Sequence, residues 1–155
     1  MSNLGYCELQ VDLGSGMKLI RALQERLDSE EPVDIIPVNK LHATIMYDVR
    51  NPDVSVTKSN KVYKAKVVGV KEMGESTSRW HACALLLESE EVQARHKELL
   101  AAGFEHSYPD LLLHVSVSYG KATGIVLPVL EEMFKSGALP ATLTLCNETW
   151  DACKD

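Results

Sequence analysis

Two heptapeptides constrain this chain more than any other feature. Leu41-His-Ala-Thr-Ile-Met-Tyr47 and Leu113-His-Val-Ser-Val-Ser-Tyr119 both read L-H-x-[T/S]-branched-x-Y, one in each half of the 155 residues. The alternation of apolar and polar positions is that of a half-buried strand. Successive strand side chains point to opposite faces. That puts Leu41, Ala43, Ile45 and Tyr47 on one side and His42, Thr44 and Met46 on the other. Likewise Leu113, Val115, Val117 and Tyr119 oppose His114, Ser116 and Ser118. Each strand then offers helices an apolar face and shows an imidazole and a hydroxyl on the other. Two such faces brought together across a cleft gather two imidazoles and two hydroxyls around one point.

The rest of the chain supplies partners for these strands. Gly5–Asp12 alternates as a strand, and Gly14-Ser15-Gly16 turns into a helix over Met17–Asp28 with a Leu19/Ile20/Leu23/Leu27 stripe. This turn is an incomplete phosphate-loop pattern and reads as a tight turn. Further strands are expected over Pro32–Pro37, Leu41–Asp48, Lys61–Val70, Ser78–Glu88, Leu112–Tyr119 and Ala141–Trp150, and polar Asn51–Asn60 is a loop. Ser89 is placed to cap a helix over Glu90–Ala102 whose first turn is acidic. A third helix covers roughly Ile125–Lys135, with Pro128 expected in its first turn. Strands alternating with two or three helices predict an α+β fold, sheets covered on one face by helices. No linker is visible, so residues 1–155 are expected to form one domain.

Composition narrows the partners. A net charge of −6 withholds the broad cationic surface that long DNA or RNA requires, though a small anionic ligand could still bind a local pocket. Cys7, Cys83, Cys146 and Cys153 show neither a CxxC pair nor zinc-ligand spacing. The apolar run after Met1 is too short and interrupted for a signal peptide, and nothing approaches a membrane span. Reduced thiols and a cytoplasmic location are therefore expected.

Two H-x-[T/S] strands separated by about half of a small α+β chain resemble the two-histidine (2H) phosphoesterase superfamily. Within it, the chain size and the tryptophan of Glu148-Thr149-Trp150 look most like the phage anti-CBASS phosphodiesterases. The resemblance implies antiparallel sheets in two lobes, helices on the outer faces, and a central cleft. It also implies a cyclic-oligonucleotide substrate from bacterial antiviral defence, and hence the host cytoplasm for a phage-encoded chain. Ser116 stands where Thr is more frequent, which keeps the hydroxyl.

The residues allow that chemistry. Cleavage of a phosphodiester by a neighbouring 2′-hydroxyl needs a base, an acid for the departing 5′-oxygen, and donors for the non-bridging oxygens. Histidine serves both proton roles near neutral pH. Thr44 and Ser116 can donate to phosphate oxygens. No carboxylate cluster or His/Cys ligand set is visible, so neither metal nor other cofactor is expected. Which histidine is base and which acid is left open. Tyr6 and Trp80 are candidate substrate contacts. Strand parity adds Glu148 and Trp150, which would share a face with Thr144. Lys121, just after the second motif, reads as an ordinary solvated lysine. His81, His96 and His106 lack the repeat context and read as structural or surface residues. Two other functions fit the motifs: hydrolysis of 2′,3′-cyclic phosphate ends on RNA, and sequestration of nucleotides without cleavage.

Overall fold

The computed structural model describes residues 3–27, 35–74 and 81–153. Its elements in chain order are β1 (Tyr6–Val11), α1 (Leu13–Arg26), β2 (His42–Tyr47), β3 (Tyr63–Met73), β4 (Ala82–Glu88), α2 (Glu90–Ala102), β5 (His114–Tyr119), α3 (Thr123–Ser136) and β6 (Thr142–Asp151). All pairings between strands are antiparallel. Where two sheets were expected, the strands form one six-stranded sheet in the order β2-β1-β6-β3-β4-β5. The join is β3–β6, through which Tyr63–Lys66 pair with Leu145–Thr142.

That order is symmetric about the β6–β3 join, and the register repeats residue by residue. In the first half Tyr6 pairs Tyr47, Cys7 Met46, Glu8 Thr44 and Gln10 His42. In the second, Ala82 pairs Tyr119, Cys83 Ser118, Ala84 Ser116 and Leu86 His114. Matching bonds close each half: Val11 N–H donates to Leu41 O and Leu87 N–H to Leu113 O, both at 2.9 Å. The repeat thus extends from the heptapeptides to the strands beside them.

Both motif strands carry a bulge at the same place, leaving Ile45 and Val117 as the extra residues. The expected alternation fails there. Met46 and Ser118 turn inward and are fully buried, whereas Tyr47 and Tyr119 swing to the face of the histidines. Each bulge carbonyl is held by a donor from the other half: His96 Nδ1 to Ile45 O at 2.7 Å, and Ile36 N–H to Val117 O at 2.8 Å.

The helices cover one face. α1 packs on β6, α2 on β2, and α3 on β3, β4 and β5. Leu19, Leu23, Leu99, Leu130 and Met133 meet Leu9, Ala43, Leu85, Val115 and Leu143 in one continuous core. The motif leucines Leu41 and Leu113 are both buried in it, each worth about 1.5–3 kcal/mol. The first helix begins earlier than expected, because Asp12 caps it by accepting from Gly14 N and Ser15 N, drawing the glycines into the first turn. A side chain at Gly16 would meet Val38 Cγ1 at 3.0 Å, so glycine lets the helix approach the turn before β2. Ser89 caps α2 as expected, accepting from Val92 N. Pro128 lies inside α3 and not in its first turn, because the helix starts at Thr123. The expected strand over Pro32–Pro37 lies partly outside the described residues, and residues 35–37 are not strand.

Candidate active site

The two ends of the sheet meet. β2 and β5 occupy opposite edges in the hydrogen-bonded order, yet their Cα atoms come within 8 Å of each other. The sheet therefore curls, and the motif strands lie near each other. His42, Thr44, His114 and Ser116 are half-buried on the face away from the core.

The two imidazoles are held in the same way. His42 Nδ1 lies 2.9 Å from Lys40 O, and His114 Nδ1 lies 2.7 Å from Leu112 O, each the carbonyl two residues earlier. A carbonyl only accepts, so each Nδ1 carries a proton and donates. The neutral ring then has its lone pair on Nε2, and the protonated ring has a proton to give there. Either histidine can be base or acid. Their surroundings differ: Glu8 Oε2 is 3.6 Å from His42 Nδ1, while the residues paired with Ser116 and His114 are Ala84 and Leu86.

Tyr6 lies beside Thr44, its Oη 3.1 Å from Thr44 Oγ1. Burial pushes its phenol up to about 12, so it stays an O–H donor. Tyr47 stands edge-on to Tyr6 with ring centroids 6.2 Å apart. Tyr119 is close enough to act on Tyr6 electrostatically. Tyr47 and Tyr119 lie on the histidine face, where the sequence reading did not place them. Their signal was present in the repeated final Tyr of the heptapeptide, but strict alternation placed it in the core.

Glu148 and Trp150 do not face the site. Asn147 has a positive φ of 53° at an irregularity in the β1–β6 pairing, and the alternation shifts there. Thr144 stays opposite the core residues Leu143 and Leu145, while Glu148 and Trp150 turn to the helix side. Glu148 is fully buried, and both its oxygens are taken: by Arg95 Nε at 2.8 Å, and by Arg95 Nη2, Ser59 N and Trp150 Nε1. Burial raises its carboxyl, but these donors outweigh that and hold it below the usual range. Trp150 stacks on Phe104 at 5.1 Å. In their place the shift brings Asn147 and Thr149 to the histidine side, where with Glu8, Gln10 and His42 they line a cavity of about 210 Å³. Trp80 lies outside the described residues. Lys121 is exposed just beyond Tyr119.

The remaining histidines make contacts of their own elsewhere. His81 Nε2 is 2.6 Å from Glu72 Oε2, and His106 Nδ1 accepts from Tyr47 N at 3.1 Å. Among the described residues no group of three His, Cys, Asp or Glu is arranged to hold a metal ion. No helix among them is long and apolar enough to cross a membrane.

A family model described as anti-CBASS protein Acb1 matches residues 6–138. The chain belongs to the Acb1 family. An anti-CBASS protein Acb1 of Vibrio phage KVP40 is 29% identical over 114 residues, covering 74% of this chain and 71% of that protein. The Acb1 match spans Tyr6 and both motif strands. As an Acb1 protein the chain is related to phage evasion of CBASS defence.

Proposed function

We propose that the protein is a metal-independent phosphodiesterase of the 2H type that opens cyclic oligonucleotide messengers at 3′–5′ linkages. The observation that carries this is the identical Nδ1 anchoring of His42 and His114, which leaves two Nε2 atoms for proton transfer. In this reading the neutral imidazole takes the proton of the substrate 2′-hydroxyl. That oxygen attacks the adjacent phosphorus, and the protonated imidazole gives its proton to the departing 5′-oxygen. The product ends are a 2′,3′-cyclic phosphate and a 5′-hydroxyl. Thr44 and Ser116 donate to the non-bridging oxygens, and Tyr6 holds the Thr44 hydroxyl in place. Family membership supports the cyclic substrate. The charge of −6 disfavours long RNA and with it the RNA-end reaction. Retention of two matched acid–base strands speaks against mere sequestration.

The test is to incubate the protein with 3′–5′ cyclic di- and trinucleotides in excess EDTA, alongside 2′-deoxy analogues. Cleavage of the ribose forms, with a first product one water lighter than the hydrolysed end, is expected. The deoxy analogues should bind but remain intact. Cutting of a 2′-deoxy linkage would mean that water attacks directly. Loss of activity on chelation, restored by one divalent ion, would refute the metal-free reading.

A further inference from the structure

The symmetry that makes the two histidines equivalent stops at the residues flanking them. Glu8 and Gln10 lie beside Thr44 and His42, whereas Ala84 and Leu86 lie beside Ser116 and His114. The first flank opens on the cavity of about 210 Å³ whose wall includes Asn147 and Thr149. Asn147 Nδ2 donates to Gln10 Oε1 at 2.9 Å, which turns the Gln10 amide nitrogen the other way as a donor. On the second flank the described neighbours of Ala84 and Leu86 on β3 are Lys71 and Gly69, and Leu112 is 44% exposed nearby in sequence to His114. Beside His42 a carboxylate and an amide can read the edge of a base, whereas beside His114 the described neighbours Ala84, Leu86, Gly69 and Lys71 offer apolar surface and an ammonium.

We propose that the cavity beside His42 seats a guanine, with the Glu8 carboxylate reading its Watson–Crick edge. A mixed cyclic dinucleotide is then cut at one of its two linkages in preference to the other. An ionised carboxylate only accepts hydrogen bonds and can take two side by side. Guanine alone among the four bases offers two adjacent donors on that edge, N1–H and the 2-amino group. Adenine and cytosine place a ring acceptor beside their amino group, and uracil flanks its N3–H with two carbonyls. A bare carboxylate therefore selects guanine, and the Gln10 amide supplies a donor suited to the neighbouring carbonyl at C6. The proposal rests on the phosphodiesterase reading and adds to it a preferred seating of the substrate.

The experiment is the partition between the two linear products formed from a 3′–5′ cyclic dinucleotide of one guanosine and one adenosine. The native chain should give one product in about tenfold or greater excess, the discrimination expected of a bidentate base contact. Glu8→Gln keeps the size of the side chain but replaces one acceptor with a donor, and should move the ratio towards one. Replacing guanosine by inosine, which lacks the 2-amino group, should move it the same way without touching the protein. Equal products from the native chain would overturn the proposal. So would an unchanged ratio in Glu8→Gln with a lower total rate, which would make Glu8 a charge partner of His42, 3.6 Å away. No cleavage of either linkage would instead bring down the phosphodiesterase reading and this seating with it.

Discussion

His96, buried on α2, donates through Nδ1 to the carbonyl of Ile45, the bulge residue of the first motif strand. An imidazole from one half of the chain thus holds the irregularity that orients the site residues of the other. His96→Phe fills similar space without the donor and leaves that carbonyl unpaired. We expect a loss of about 1–3 kcal/mol in urea unfolding at an unchanged m-value. A stability equal to the native protein would mean that the bulge does not need this bond.

His42→Ala and His114→Ala should each lower turnover by about 10²–10⁴-fold while the unfolding midpoint stays close to native. Both rings are half-buried on the face away from the core and anchored through Nδ1 to a neighbouring carbonyl, so neither supports the core. Single-turnover rates and melting curves of the same preparations separate the two effects. A near-normal rate in either variant would end the two-histidine mechanism.

Thr44→Ala and Ser116→Ala should cost less than the histidine changes, because each removes one donor among several. Tyr6→Phe tests the bond to Thr44. If Tyr6 acts by holding that hydroxyl, the Tyr6→Phe/Thr44→Ala pair will be little worse than Thr44→Ala alone. Additive losses in kcat would give Tyr6 a contact of its own with the substrate.

Stability should fall on the acid side in two stages. Burial, reinforced by His96, lowers the His106 pKa, keeping it neutral to accept from Tyr47 N. A ring depressed in the folded state costs nothing above its unfolded value of ~6.5, and destabilises as pH falls below it. Asp48 is held low by Arg50 together with two backbone donors, and Glu148 by the Arg95 network despite its burial. Their contributions are complete above the unfolded carboxyl values near 4 and vanish as pH falls through the folded ones. Unfolding free energies measured from pH 7 down to pH 3 should show both declines. His106→Gln should remove the first.

The face that carries both histidines was legible in sequence because a repeated L-H-x-[T/S] carries its own geometry: four residues of strict alternation put His42 with Thr44 and His114 with Ser116. Beyond the fourth residue the reading failed at each bulge. Tyr47 and Tyr119 were assigned to the core, and Glu148 and Trp150 to the site, because one extra residue inverts every later side chain. Asn147 could have been suspected, since Asn tolerates positive φ. Ile45 and Val117 gave no such sign, being ordinary strand formers. The single sheet was illegible for another reason: the β3–β6 join is made by Tyr63–Lys66 and Thr142–Leu145, remote segments whose pairing no local pattern reports.

The connections that cross between halves have a consequence for how the molecule assembles. Ile36 N–H reaches Val117 O on β5, and Ser107 N–H reaches Tyr47 O on β2 at 2.7 Å. Each half therefore covers the open edge of the other's outermost strand. A half made alone would expose that edge as a template for aggregation. These contacts join residues distant in sequence and must overcome loop-closure entropy, so they close late in folding. The two motif strands come together only with that last step: a nascent or partly unfolded chain carries both histidines but not their arrangement. Bisecting the chain between the repeats should yield two insoluble fragments that regain function only when refolded together.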